Sequence, residues 1–176
     1  MMRTAITGGI GSGKSYVCRL LEQQGISVYD CDSAAKRLMR TSPTLRSQLQ
    51  QLLYPQKLTK ENITRFLLAS QKNALALNAI VHPAVIADYL VSGMEWVESA
   101  IVFESGLDRV VDRIIVVTAP LEVRIRRVME RDGISPEKAM QWIEMQMPQE
   151  EFILKAHHQI INDGEQPLLP QLLPLL

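Results

Sequence analysis

Apolar positions recur along the chain with two different periods. Short apolar runs bounded by glycine or polar residues fall at Thr4 to Thr7, Ile26 to Asp30, Ala100 to Phe103, Arg113 to Val117 and Gln159 to Ile161. Such brief runs predict strands buried on both faces of a parallel sheet. Between them the spacing becomes helical. Residues Asn62 to Asn78 carry Ile63, Phe66, Leu67, Ala74 and Leu77 close to helical period, and Pro83 suits the first turn of a following helix. After the fourth run, Leu121 to Asp132 and Ser135 to Gln146 read as two helices joined at Gly133, with Pro136 near the start of the second.

Strands alternating with helices predict an α/β fold, a five-stranded parallel sheet flanked by helices. The stretch from Cys31 to Ser99 is far longer than one crossover helix requires, so it predicts a helical insertion. The segment after the fourth strand predicts a second helical excursion.

At the end of the first run stands Gly8-Gly9-Ile10-Gly11-Ser12-Gly13-Lys14-Ser15, a full match to G-x-x-x-x-G-K-[ST] between a predicted strand and a predicted helix. Glycines let successive backbone N–H groups turn inward onto phosphate oxygens, and the helix N-terminus adds its dipole. Lys14 is then expected on the β and γ phosphates of ATP, and the Ser15 hydroxyl on Mg²⁺. Gly9, Ile10, Gly11, Ser12, Gly13 and Tyr16 complete the expected nucleotide-binding segment. The loop alone does not separate a kinase from a GTPase or a binding module.

Composition narrows the partners. Lys plus Arg and Asp plus Glu both number 19, so the charge balances; a strongly basic surface for nucleic acid is not expected, and a small anionic substrate is. One main domain is expected from a length of 176 residues with 47% hydrophobic content. The N-terminal residues lack the pattern of a signal peptide, and no apolar run approaches the roughly 20 residues of a membrane span, so a cytoplasmic protein is expected. Cys18 and Cys31 stand without Cys-x-x-Cys or zinc spacing, and reduced thiols are expected. Asp30 and Asp32 flank Cys31 and should raise its pKa.

Carboxylates at strand ends are the candidates for chemistry, because ligands of open parallel sheets gather there. Asp30-Cys31-Asp32 and Glu104 fall at such ends in this reading. A carboxylate there can take the proton of an acceptor hydroxyl or hold Mg²⁺. Asp32 is preferred for the first role, with a helix cap as its alternative, and a cap or surface role stands beside Glu104. Arg124, Arg127 and Arg131 share one helix face and could neutralise a transferring phosphoryl group, or form a solvated face. His82 could contact substrate or serve as a hydrogen-bonded structural histidine. Met140, Trp142, Met145 and Met147 are expected to pack.

Taken together, Thr7 to Ser15, Tyr29-Asp30-Cys31-Asp32, His82-Pro83 and Phe103-Glu104 resemble the bacterial dephospho-CoA kinases, and the resemblance continues through Arg127, Arg131, Gln146 and Ala156 to Asn162. Ala100-Ile101-Val102, Arg124, Trp142 and His157 stand where the family pattern usually has other residues. The resemblance implies transfer of the γ-phosphoryl of ATP to the ribose 3′-hydroxyl of dephospho-CoA, the last step of coenzyme A synthesis. It implies Asp32 as the acceptor-activating group, Arg127 and Arg131 on a lid, and Asn162 near the nucleotide base. Substrate contacts are expected from Asp32, His82 and Glu104, and catalytic roles from Lys14, Asp32 and Arg131. The implied division is a nucleotide-binding core of residues 1–30, 99–120 and 157–176, a helical CoA-substrate domain of 31–98 and a helical lid of 121–156. The residues themselves leave open another small-molecule or nucleotide kinase of this fold, or a catalytically weak nucleotide-binding regulatory protein.

Overall fold

The structure, a computed structural model, describes residues 2–176. Five strands, β1 (Thr4–Thr7), β2 (Val28–Asp30), β3 (Trp96–Glu98), β4 (Arg113–Thr118) and β5 (His158–Ile161), form one parallel sheet in the order β2-β3-β1-β4-β5. The chain leaves β1 for one side of the sheet and later returns to its other side, so the loop after β1 occupies the crevice where the strand order reverses. The three inner strands are apolar on both faces, with Ala5, Ile6, Val97, Ile115 and Val117 fully buried.

Helix α1 (Lys14–Gln23) follows the glycine loop directly, with Gly13 at its N-cap at φ 94°. Four helices, α2 (Cys31–Thr41), α3 (Pro43–Leu53), α4 (Lys60–Ala69) and α5 (Gln71–Ser92), fill the long insertion. Serine and threonine caps punctuate them: Ser42, Thr59 and Ser70 each accept a backbone N–H of the first turn that follows. Ser70 therefore divides the helix expected over Asn62 to Asn78 into two. Pro83 lies inside α5 rather than in a first turn. A mid-helix proline costs about 3 kcal/mol, and packing offsets it: Leu77, Val81, Val85 and Tyr89, spaced every fourth residue across the proline, are all buried in one core cluster. Helix α5 is long and apolar enough to cross a membrane by length and composition, and this buried stripe lies within the protein core.

The third strand is β3 at Trp96–Glu98, not Ala100 to Phe103. Both segments are short apolar runs, and pairing decides between them: Trp96, Val97 and Glu98 register against Thr4, Ala5 and Ile6 of β1 and against Val28, Tyr29 and Asp30 of β2. Residues Ala100 and Ile101 instead lead into the helical turn α6 (Val102–Ser105). The sheet thus reclaims residues 96–98 from the helical segment expected to run to 98.

Helices α7 (Leu121–Asp132) and α8 (Pro136–Glu144) form the second excursion and meet at Gly133, which ends α7 at φ 65°. Helix α9 (Gln149–Lys155) returns the chain to β5, and α10 (Leu169–Leu172) closes the proline-broken tail over a second core cluster through Leu168 and Leu172. Met140, Trp142 and Met147 are half-buried as expected, whereas Met145, just past the end of α8, is 83% exposed.

Candidate active site

Residues Gly8 to Gly13 wrap between β1 and the first turn of α1, and three of the glycines, Gly8, Gly11 and Gly13, hold positive φ. Side chains would also be excluded by contact. A Cβ at Gly9 would run into the Arg124 guanidinium, and one at Gly13 into the Asn162 amide. The loop lines one side of an open cavity of about 1020 Å³. Lys14, Ser15, Tyr16, Asp32, Arg127, Arg131 and Asn162 face the same cavity. The structure therefore brings together residues that lie far apart in sequence.

Lys14 Nζ donates to the Gly8 carbonyl at 2.9 Å and lies 3.9 Å from Glu98 Oε1. Glu98 ends β3, the strand beside β1, and is the acidic residue that sequence reasoning missed. Its only local signal was an acid closing the triplet Trp96-Val97-Glu98. Burial pushes the Glu98 carboxyl up to about 7, against the opposing pull of Lys14. Burial likewise lowers the Lys14 ammonium from its ordinary value, with Glu98 and Asp32 working the other way.

Asp30 and Asp32 separate cleanly in role. Asp30 is the N-cap of α2, its two oxygens accepting from Ser33 N at 3.0 Å and Ser33 Oγ at 2.7 Å. The cap considered for Asp32 thus belongs to Asp30, and Asp32 in the first turn is exposed with its carboxylate facing the loop cavity. Cys31 between them is buried, and its thiol is pushed up to about 12 by burial first and then by Glu98, Asp32 and Asp30. Cys18 is raised to about 12 as well, again chiefly by burial. Neither thiol has reactive character.

Two arginines of the α7 stripe, Arg124 and Arg127, face the loop rather than solvent. Buried Arg124 donates from Nε to the Ile10 carbonyl at 2.9 Å, while the Ile10 N–H donates to Gln146 Oε1 at 2.6 Å. One residue of the loop, Ile10, is thus held by the second excursion through both its backbone N–H and its carbonyl. Arg127 donates to the Gly11 and Ser12 carbonyls at 3.3 and 3.4 Å and to Asn162 Oδ1 at 3.2 Å, and Asn162 Nδ2 donates to Ser12 O at 2.9 Å. Arg131 lines the cavity from a more exposed position and pairs with Asp132. Tyr16 and Arg19 on α1, with Gly164 to Leu169, form the cavity's outer wall.

Two residues expected at the substrate lie outside the loop cavity. Glu104 sits on α6, exposed, and lines neither cavity, because the third strand ends at Glu98, six residues before it. His82 lies on α5 in a second, more apolar cavity of about 190 Å³. That cavity is bounded by α2, α5 and the segment from Ser99 to Leu107, and Asp32 alone lines both cavities. Burial lowers the His82 pKa, favouring the neutral ring.

The donors fit a phosphate-bound Mg²⁺. Ser15 at the first turn of α1 offers a hard hydroxyl oxygen to the loop cavity, and the Asp32 carboxylate lines the same space. Two side-chain oxygens at the loop, Thr7 Oγ1 and Ser12 Oγ, are buried without a hydrogen-bond partner.

Known proteins resemble this chain over nearly its whole length. The dephospho-CoA kinase family model matches residues 2–167. A curated relative from Bacteroides fragilis, named dephospho-CoA kinase, is 40% identical over 99% of this chain and 91% of its own length. A crystal structure of a Thermus thermophilus protein superposes with a TM-score of 0.83 at 32% identity, covering 99% of this chain and 95% of that one. Shikimate kinase from Bacteroides thetaiotaomicron shares the fold, with a TM-score of 0.60 at 13% identity over 99% of this chain and 95% of that one.

Proposed function

The chain belongs to the dephospho-CoA kinase family of P-loop kinases, and from that premise we propose that Asp32 directs transfer of the γ-phosphoryl group of ATP to the ribose 3′-hydroxyl of dephospho-CoA. The product is coenzyme A, and the reaction is the last step of its biosynthesis. One observation carries the assignment of Asp32: it is the residue at which the loop cavity and the second cavity meet. A group there can touch a donor phosphate on one side and an acceptor hydroxyl on the other.

Asp32 accepts the hydroxyl proton as the oxygen attacks phosphorus. The bond from phosphorus to the β-γ bridging oxygen breaks, and ADP leaves. Lys14 exchanges the Gly8 carbonyl for the β and γ phosphates, and the backbone N–H groups of Gly11, Gly13, Lys14 and Ser15, which the loop does not spend internally as it does those of Ile10 and Ser12, bind the remaining oxygens. Arg127 and Arg131 set positive charge against the transferring group from α7. Tyr16 and Asn162 bound the nucleotide at the outer side of the cavity, and His82 serves the acceptor. Ser15 would hold Mg²⁺, which offsets phosphate charge when bound. Helices α2 to α5 act as the acceptor domain and α7 to α9 as the lid. The reaction draws on ATP, and the protein works in the cytoplasm on small molecules.

The test is turnover of dephospho-CoA beside adenosine and nucleoside monophosphates, with ATP in excess. A strong preference for dephospho-CoA is expected. Equal turnover of a nucleoside monophosphate would assign the chain a different acceptor.

A further inference from the structure

The second cavity raises a question that the reaction itself does not answer: which part of the acceptor enters it. Its volume of about 190 Å³ is below the roughly 300–1,000 Å³ of sites that enclose whole drug-sized ligands. It can take one flat ring system, not a nucleotide with its long arm. Met39, Leu77, Val81 and Ile101 supply apolar walls suited to the faces of such a ring.

Polar side chains interrupt those walls: Asp32, Ser99 and Ser105 at one side, and Asn78 and His82 on α5. Asn78 and His82 stand one helical turn apart on α5, so they share a face. Neither side chain is hydrogen-bonded within the protein among the described residues. Burial is the cause acting on the His82 pKa, so a neutral ring is available as both donor and acceptor. The Asn78 amide offers one donor and one acceptor side by side, the pair that matches the amino group and adjacent ring nitrogen of adenine.

The position of Asp32 decides which part of the acceptor is near. A ribose hydroxyl held at Asp32 is only a few bonds from the base on the same sugar. The pantetheine arm hangs from the 5′-pyrophosphate and is much farther along the molecule. The donor nucleotide has its own, larger cavity on the other side of Asp32.

We propose that the cavity between α2 and α5 is the binding pocket for the adenine of the acceptor, with Asn78 reading the amino-bearing edge of the base. This deepens the reading of dephospho-CoA as acceptor and rests on it. Asn78 thereby sets specificity without touching the reacting atoms, and Val81 limits the depth of the pocket.

The test pairs two variants with two acceptors. Wild type, Asn78→Leu and Val81→Phe are assayed with dephospho-CoA and with an analogue carrying unsubstituted purine in place of adenine. Dephospho-CoA binding is also measured calorimetrically without ATP. Wild type should favour dephospho-CoA over the analogue by about tenfold in kcat/KM, the loss of half a bidentate contact. In Asn78→Leu, Kd for dephospho-CoA should rise by about tenfold while the preference between the two acceptors disappears and KM for ATP holds. Val81→Phe, checked for folding by its melting curve, should weaken dephospho-CoA and leave ATP alone. If Asn78→Leu keeps both the wild-type Kd and the wild-type preference, the base lies elsewhere, although the reaction stands. If wild type does not turn over dephospho-CoA at all, the acceptor reading fails and the pocket assignment with it.

Discussion

Lys14 and Glu98 face each other at 3.9 Å with side chains only 13% and 15% exposed. The cation that the phosphates require is thus held in advance against a carboxylate on the neighbouring strand. Neither charge is fully compensated, because Lys14 gives its short hydrogen bond to Gly8 rather than to Glu98. Burial dominates both groups and pushes each toward its neutral form.

A pH dependence of stability follows from Glu98. Its carboxyl rises from 4.5 to about 7 on folding, so between those values the folded protein binds more protons than the unfolded chain. Stability therefore falls as pH rises through that window, and Glu98 contributes a loss of up to about 3 kcal/mol at its end. Chemical unfolding of the nucleotide-free protein at about pH 5 and about pH 8 should show the slope in wild type and a flatter one in Glu98→Gln. A slope unchanged by the substitution would show that Glu98 titrates as an ordinary carboxylate.

The two aspartates around Cys31 should part company on mutation. Asp30→Ala removes the cap of α2 and should lower stability by about 1 kcal/mol while turnover stays near wild type. Asp32→Asn keeps the size of the side chain and removes its basicity. It should leave the melting temperature and ATP affinity intact and reduce kcat by about 10² to 10⁴. The opposite outcome, with Asp30 governing kcat, would move the proton acceptor to the end of β2.

On α7, position should outweigh charge count. Arg127 touches the loop at Gly11 and Ser12 and is tied to Asn162, whereas neighbouring Arg126 is exposed and outside the cavity. Arg127→Ala should lower turnover by about 10² or more, with Arg131→Ala following in direction and Arg126→Ala near wild type. Steady-state kinetics with dephospho-CoA and ATP would decide it; equal effects at Arg126 and Arg127 would reduce the stripe to a diffuse field.

The phosphate loop, the α/β alternation and helices such as Leu121–Asp132 were legible in the sequence because each is written locally. A glycine pattern, a hydrophobic period and a terminating Gly133 depend on residues within a turn or two of one another. The three arginines of α7 were legible as a stripe for the same reason, since helical geometry alone puts them on one face. What the stripe faces was not. The choice of β3 over the equally apolar Ala100 to Phe103 was made by hydrogen bonding to β1 and β2, and that pairing put Glu98 instead of Glu104 beside Lys14. The α5 helix runs through Pro83 because buried contacts on both sides of the proline offset its local cost. Asp32 and His82 are separated by four helices' worth of chain, and they share a cavity only because α2 and α5 pack together. Local periodicity determines which elements form and which way their side chains point, but a site assembled from strand ends and facing helices exists only once non-local burial has chosen the partners.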